Sequence, residues 1–365
     1  MRGPDYPHGT LADVLTGTLG ALGVPGLTDR LELAPSLSGV RRVAVLLVDG
    51  MGWGQLPPFV ATLPGRPITC GFPSTTPTSL VSFATGALPG AHGVLAFTTR
   101  IPGTNRILNH TLWADDPVPG EWQPVVPLYE RAVAHGLDVT VVNRPEYVGS
   151  GLTVVTTQGA RYEPTAGPDL ADAMLAALKR SQLVYGYTPE LDKAGHAFGL
   201  TSPEWRDAAS NVDDVVSRLV AELPADAALV ITADHGQLDI PTDRRVDIDA
   251  DPALAAGVEL FAGEPRVRYL HTFPGAEADV LAAWRELAGH AAWVGTREEA
   301  IATGWYGPFD LAFAPRLGDV VVVCKDDWAV LGTLRERASI AQLVAMHGAL
   351  TEPEMTIPLL VVRAD

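Results

Sequence analysis

Cysteine is nearly absent. Cys70 and Cys324 are the only two in 365 residues, far apart and outside any Cys-x-x-Cys spacing, which argues against a disulfide framework or a thiolate zinc site and leaves two buried free thiols. Basic residues are also scarce. The 26 Lys and Arg face 43 Asp and Glu, for a net charge of −17, so the surface is not built to neutralise a polynucleotide backbone. No apolar run approaches the roughly 18 residues of a membrane span. The start, Met-Arg-Gly-Pro-Asp-Tyr-Pro-His, has no basic segment leading into an apolar stretch. These absences predict a cytoplasmic protein with neither nucleic-acid nor membrane partners. A phosphate-bearing ligand in so acidic a chain needs local positive charge, which bound divalent cations can supply.

What is present is apolar content, 47% of the chain, enough for one large α/β domain or a domain plus an insert. Short β-rich runs at 43–48, 139–142, 183–187, 228–232 and 320–323 read as buried strands. Helical patterns at 170–179 and 204–223 fall between them, and this alternation predicts a mostly parallel central sheet with helices on both faces. Between about 241 and 339 the chain changes character, with a strand-like 266–270 and helical 278–287 and 297–303. That stretch reads as a small α+β cap inserted into a single catalytic domain spanning 1–365.

Parallel sheets gather ligands at the C-terminal ends of their strands, and three of these strands run into chemically pointed residues. Val48 leads to Asp49-Gly50, Tyr187 is followed by Asp192, and Thr232 leads to Asp234-His235-Gly236. Asp192 and His196, four apart, can face one cation from a loop or a first helical turn. Asp234 and His235 can turn together toward one ion just past a strand end, helped by Gly236. Each fragment alone has an ordinary reading as a cap, a turn or a solvated loop, as does His347 in Ala-Met-His-Gly. The segment Pro73-Ser-Thr-Thr-Pro-Thr-Ser79 carries five hydroxyls before a helical pattern ending at Gly86. Hydroxyls there serve as N-caps, but one placed at a helix N-terminus is also positioned to meet a phosphoryl group.

In order, Leu-Val-Asp49-Gly-Met-Gly, Pro-Ser-Thr-Thr76, Leu-Pro-Gly-Ala-His92-Gly, Asp192-Lys-Ala-Gly-His196, Ala-Asp234-His235-Gly and Met-His347-Gly span most of the chain. Together they resemble the alkaline phosphatase superfamily and, within it, the nucleotide pyrophosphatase/phosphodiesterase branch. The resemblance implies two divalent metals, zinc first with manganese or iron as alternatives. Asp49, Thr76, Asp234 and His235 would hold one, and Asp192, His196 and His347 the other. It implies Thr76 as nucleophile, with Thr75 as the alternative, and His92 as a structural residue of its turn. Where nucleotide-cleaving members carry an Asn after the His-Gly turn, this chain has Ala96-Phe97, and Asn109 is the candidate replacement as a phosphate contact.

The implied activity is two-metal hydrolysis of phosphate diesters or nucleotide pyrophosphates through a phosphothreonine intermediate. A phosphomonoesterase or phosphonate hydrolase is the alternative, because Arg144 and Arg245 could supply the extra cation a monoester needs. A non-catalytic metal-stabilised binding protein is the third reading. The substrate is expected to be a small phosphate ester, with Trp113, Trp122 and Trp205 as candidates for stacking a nucleobase.

Overall fold

The run Arg42–Val48 (β1) is buried at six of its seven positions, too apolar for an edge, and it lies at the middle of a seven-stranded sheet. In the computed structural model, which describes residues 1–165 and 167–364, that sheet also contains Gly65–Thr69 (β2), Val139–Asn143 (β3), Arg161–Pro164 (β4), Leu183–Thr188 (β5) and Ala227–Thr232 (β6). A small sheet contributes Val258–Glu264 (β7), Val267–Thr272 (β8), Ala292–Thr296 (β9) and Val320–Cys324 (β10), and the chain returns to the central sheet with Thr356–Arg363 (β11). The central order is β2-β11-β6-β1-β5-β3-β4. From β6 to β4 all neighbours are parallel, whereas β11 runs antiparallel to both β6 and β2.

Register then does the positioning. Val48 pairs with Thr188 and Leu47 with Thr232, so β1, β5 and β6 end level with one another. Whatever follows them emerges at one edge of the sheet. Helices flank this sheet, among them Ala12–Ala21, Thr76–Thr85, Leu170–Leu178 and Pro203–Ala221.

The expected strand at 320–323 forms, but as part of the small antiparallel sheet β7-β8-β10-β9 rather than the central one. Its side chains alternate between two cores: Val321 and Val323 join the main core, while Val320, Val322 and Cys324 pack with Trp284 and Val280 of the helix Glu277–Ala288. This is the period-2 pattern of a sheet covered on both faces. The β7–β8 turn carries Arg266, which is fully buried and pairs bidentately with Glu354 at 3.0 and 2.8 Å. The pair ties the small sheet to the segment just before β11. Cys70 and Cys324 are both free and buried.

Candidate functional site

The helix Thr76–Thr85 follows Thr75, which has extended backbone at the N-cap. Pro lies in its first turn, and it stops at Gly86 with φ of 69°, where a left-handed residue ends the ladder without Cβ strain. Thr76 therefore stands at the first helical position, on the electropositive end of the helix. Its Oγ1 lies 3.1 Å from His235 Nε2 and 3.5 Å from Asp49 Oδ1. Thr75 is fully buried and does not line the cavity that Thr76 faces.

Around Thr76 two donor groups assemble. Asp49, just past β1, meets Asp234 and His235, just past β6: His235 Nε2 is 3.5 Å from Asp49 Oδ1 and 3.3 Å from Asp234 Oδ2. The second group draws Asp192 and His196 from the helix Glu190–Phe198 and His347 from the segment before β11. His196 Nε2 is 3.4 Å from Asp192 Oδ2 and 3.2 Å from His347 Nε2. The rings of His235 and His347 stack with centroids 3.6 Å apart, joining the two groups. Gly50, at φ of 73°, lets the helix come this close, since a Cβ there would sit 2.9 Å from that of Asp192.

The donor chemistry fits cations. His196 Nδ1 lies 2.8 Å from Ala345 O, His347 Nδ1 2.8 Å from Ser74 O and His235 Nδ1 3.2 Å from Gly236 O. A carbonyl only accepts, so each Nδ1 carries the proton and each Nε2 turns a lone pair inward. Two such lone pairs at 3.2 Å repel unless something positive lies between or beside them. Asp234 Oδ1 accepts from the Gly50 and His235 amides, whereas its buried Oδ2 has no hydrogen-bond donor among the described residues. Burial, followed by the neighbouring carboxylates of Asp192 and Asp234, pushes the Asp49 carboxyl well above its usual range. Burial also raises that of Asp234. Burial and the adjacent His235 and His196 hold the His347 imidazole well below its ordinary value. Bound cations would relieve all of these costs together.

Other supporting contacts escape a reading of the chain. Tyr187, the penultimate residue of β5, donates to Asp49 Oδ2, and Gln237 donates to Asp192 Oδ1. Only the alternation of β5 and the position of Gln237 after Asp-His-Gly hint at them. Glu264, at the end of β7, accepts from the Phe97 amide at 2.8 Å, and burial pushes its carboxyl up to about 8. No local signal marks it. His92 is held by Ser82 at 2.9 Å and by the Val94 amide at 3.1 Å, away from both donor groups.

Several expected contacts do not form. Asn109 uses its carboxamide oxygen to accept from the Thr111 amide and hydroxyl and does not line the cavity at Thr76. Arg144 pairs with Glu190 and Glu146, and Arg245 donates to the carbonyls of Ile240, Ala341 and Leu343, so neither guanidinium reaches Thr76. Trp113 and Trp122 are buried in a small side cluster with their indole N–H groups bonded to Pro117 O and His110, and Trp205 packs against the main core. None of the three lines that cavity.

A sequence model of the type I phosphodiesterase / nucleotide pyrophosphatase family matches residues 43–350, which takes in every residue of both donor groups. The chain belongs to that family. An uncharacterized pyrophosphatase/phosphodiesterase of Schizosaccharomyces pombe is 25% identical over 190 residues, covering 49% of this chain and 39% of the yeast protein. The chain thus spans well under half of that relative. Among solved structures, murine ectonucleotide pyrophosphatase/phosphodiesterase 5 superposes with a TM-score of 0.67 at 20% identity over 87% of each chain. Phosphonoacetate hydrolase of Sinorhizobium meliloti does so at 0.65 and 17% identity, over 89% of this chain and 91% of that one. Both likenesses establish the alkaline-phosphatase-like fold. Among the described residues no helix is long and apolar enough to cross a membrane.

Proposed function

We propose that the protein hydrolyses small phosphate diesters or nucleotide pyrophosphates with two divalent cations, using Thr76 as nucleophile. The observation that carries this reading is the placement of the Thr76 hydroxyl at a helix N-terminus, 3.1 Å from His235 Nε2 and in one cavity with members of both donor groups. Asp49, Asp234 and His235, with Thr76, would hold one cation, and Asp192, His196 and His347 the other. Cations bound there supply Lewis-acid charge that favours the ionised Thr76 hydroxyl and offsets charge on the leaving oxygen. The donor set of three imidazoles and three carboxylates suits zinc and admits manganese or iron.

Thr76 Oγ1 loses its proton and attacks phosphorus in line with the leaving group, forming a Thr–O–P ester as the alcohol of a diester or the phosphate of a pyrophosphate departs, and water then breaks that ester. The first-turn amides of the helix Thr76–Thr85 orient the anionic phosphoryl group. Tyr187 and Gln237 hold Asp49 and Asp192 in place. Residues 241–339 act as a cap whose β7 brings Glu264 against the Phe97 amide. The small phosphorus ligands in neighbouring structures, AMP with murine ectonucleotide pyrophosphatase/phosphodiesterase 5 and phosphonoformate with the bacterial hydrolase, support a small substrate. We place the protein in the cytoplasm on its two unpaired thiols, and recovery mainly from the medium would overturn that.

One observation favours a phosphomonoester or phosphonate substrate as the second reading. Lys193, exposed at the cavity, is the one cationic side chain among its described lining residues and could pair with a second anionic group. A chromogenic diester and its matching monoester, assayed after chelation and after readdition of zinc or manganese, separate the two. Cation-restored diester cleavage that Thr76→Ala lowers at least about 10³-fold supports the first reading. Monoester preference lost in Lys193→Ala supports the second.

A further inference from the structure

Thr76, Leu80, Phe83 and Ala84 fall on one face of the helix Thr76–Thr85, at the i, i+4, i+7 and i+8 spacing of a single stripe. All four line one cavity of about 390 Å³ that opens at the donor groups and continues inward past Tyr185 of β5, Tyr129 and the helix Gly151–Thr157. The nucleophile thus stands at the mouth of a pocket walled by its own helix. The volume is within the ~300–1,000 Å³ of ordinary small-molecule sites.

Asn143, Tyr147 and Ser150 also line this pocket, but the wall around the stripe Leu80-Phe83-Ala84 has little hydrogen-bonding capacity. Thr156 and Thr157 line it, but their hydroxyls donate to Leu152 O and Thr153 O of their own helix, each at 2.8 Å. Tyr185 packs its ring against Phe83 at 5.2 Å and Tyr129 at 6.4 Å. Tyr129 is buried, and its hydroxyl has no hydrogen-bond partner among the described residues. A nucleobase brings several donors and acceptors, most of which would stay unpaired there. An aryl or short alkyl group would not, and one polar atom at its inner end would find Tyr129.

In-line displacement puts the leaving oxygen on the far side of phosphorus from Thr76 Oγ1. A pocket running back along the helix of Thr76 therefore takes the group that remains on phosphorus. We infer that the retained ester group of the substrate is a small apolar aryl or alkyl group, carrying at most one hydrogen-bonding atom, seated between the stripe Leu80-Phe83-Ala84 and the Tyr129–Tyr185 pair. This rests on the diesterase reading and narrows it away from nucleosides.

The test compares two esters that release the same 4-nitrophenolate from the zinc- or manganese-loaded protein: 4-nitrophenyl phenylphosphonate and the 4-nitrophenyl ester of thymidine 5′-phosphate. The phenyl compound is expected to show a kcat/KM at least tenfold higher. Ala84→Phe, or the milder Ala84→Val, fills the pocket and lowers that ratio severalfold, chiefly through KM. An equal or better rate on the thymidine ester, or equal losses on both substrates in both variants, overturns the inference. Calorimetric binding of phenylphosphonate and thymidine 5′-phosphate keeps the two readings separate. If neither ester is cleaved yet phenylphosphonate binds at least tenfold tighter and Ala84→Val weakens it, the pocket assignment stands and the diesterase reading fails. If neither ester is cleaved and phenylphosphonate binds no better than the nucleotide, the pocket assignment falls as well.

Discussion

Replacing Asp234 by Asn is expected to change stability in opposite directions with and without cations. The Asn oxygen can still accept from the Gly50 and His235 amides, now at 3.1 and 3.0 Å. The buried Oδ2, which has no donor among the described residues, becomes an N–H group 3.3 Å from the inward-facing His235 Nε2. In chelator the substitution thus removes an unsatisfied buried carboxylate oxygen and adds a hydrogen bond, a gain of about 1–2 kcal/mol. With each cation at 100 times its Kd, the wild type gains about 2.7 kcal/mol per site, or about 5.4 kcal/mol in all. Unfolding entropy of about 2.1 cal/mol/K per residue makes the 365-residue chain respond at about 0.77 kcal/mol per degree. The wild-type Tm should rise by about 7 °C on cation loading. The Asn variant should start about 1–3 °C higher in chelator and gain only about half as much. Differential scanning calorimetry in chelator and in zinc or manganese reads both numbers. Equal lowering of Tm under both conditions would make Asp234 a structural carboxylate and refute the reasoning, as would a wild-type Tm indifferent to chelation.

Other outcomes follow from contacts outside the donor groups. Glu354→Ala leaves the buried Arg266 guanidinium without its bidentate partner and should cost about 3–5 kcal/mol in a urea titration, whereas Arg2→Ala, which breaks the exposed pair with Glu352, should change almost nothing. Burial lowers the pKa of His92 to about 3 and that of His110 to about 4, from an ordinary 6.5. Between those values and 6.5 the unfolded chain binds protons that the native one does not. Stability is therefore full above pH 6.5 and falls with acidification, by up to about 1.4 kcal/mol per pH unit for each ring. His92→Gln, which keeps a donor for Ser82, should make that fall shallower in pH-dependent melts. Asn109→Ala is expected to alter the diester rate less than about twofold, since its carboxamide is engaged by Thr111. A tenfold loss would return Asn109 to the phosphoryl pocket.

Strands that carry chemistry were legible because their signal is local: an apolar run such as 43–48 ends abruptly in a carboxylate, and a buried strand has few other places to put one. The edge strands β2 and β4 were not. Gly65–Thr69 and Arg161–Pro164 are largely exposed and polar, so nothing in their composition separates them from loops. The antiparallel insertion of β11 between β2 and β6 is a long-range choice that periodicity does not encode. The candidate site divides in the same way. Asp192 and His196 share a short helix and read as a pair, while Glu264 acquires its place only when the small sheet packs against Phe97. Asn109, Arg144 and Arg245 were expected by residue type alone. Each is satisfied elsewhere: Asn109 in a local turn, Arg144 by an ion pair with Glu190, and Arg245 by carbonyls that include those of Ala341 and Leu343.

The contact from His347 Nδ1 to Ser74 O joins positions 273 apart, and His347 is followed directly by the segment that leads into β11. During synthesis, Asp49, Thr76, Asp192 and Asp234 all leave the ribosome well before the residue that completes the second donor group. A nascent chain stopped short of that point carries the acidic half of the site without its last imidazole and without the strand that lies beside β6. On the two-cation reading the groups would therefore fill in order: the first has all its donors once His235 has emerged, whereas the second waits for His347.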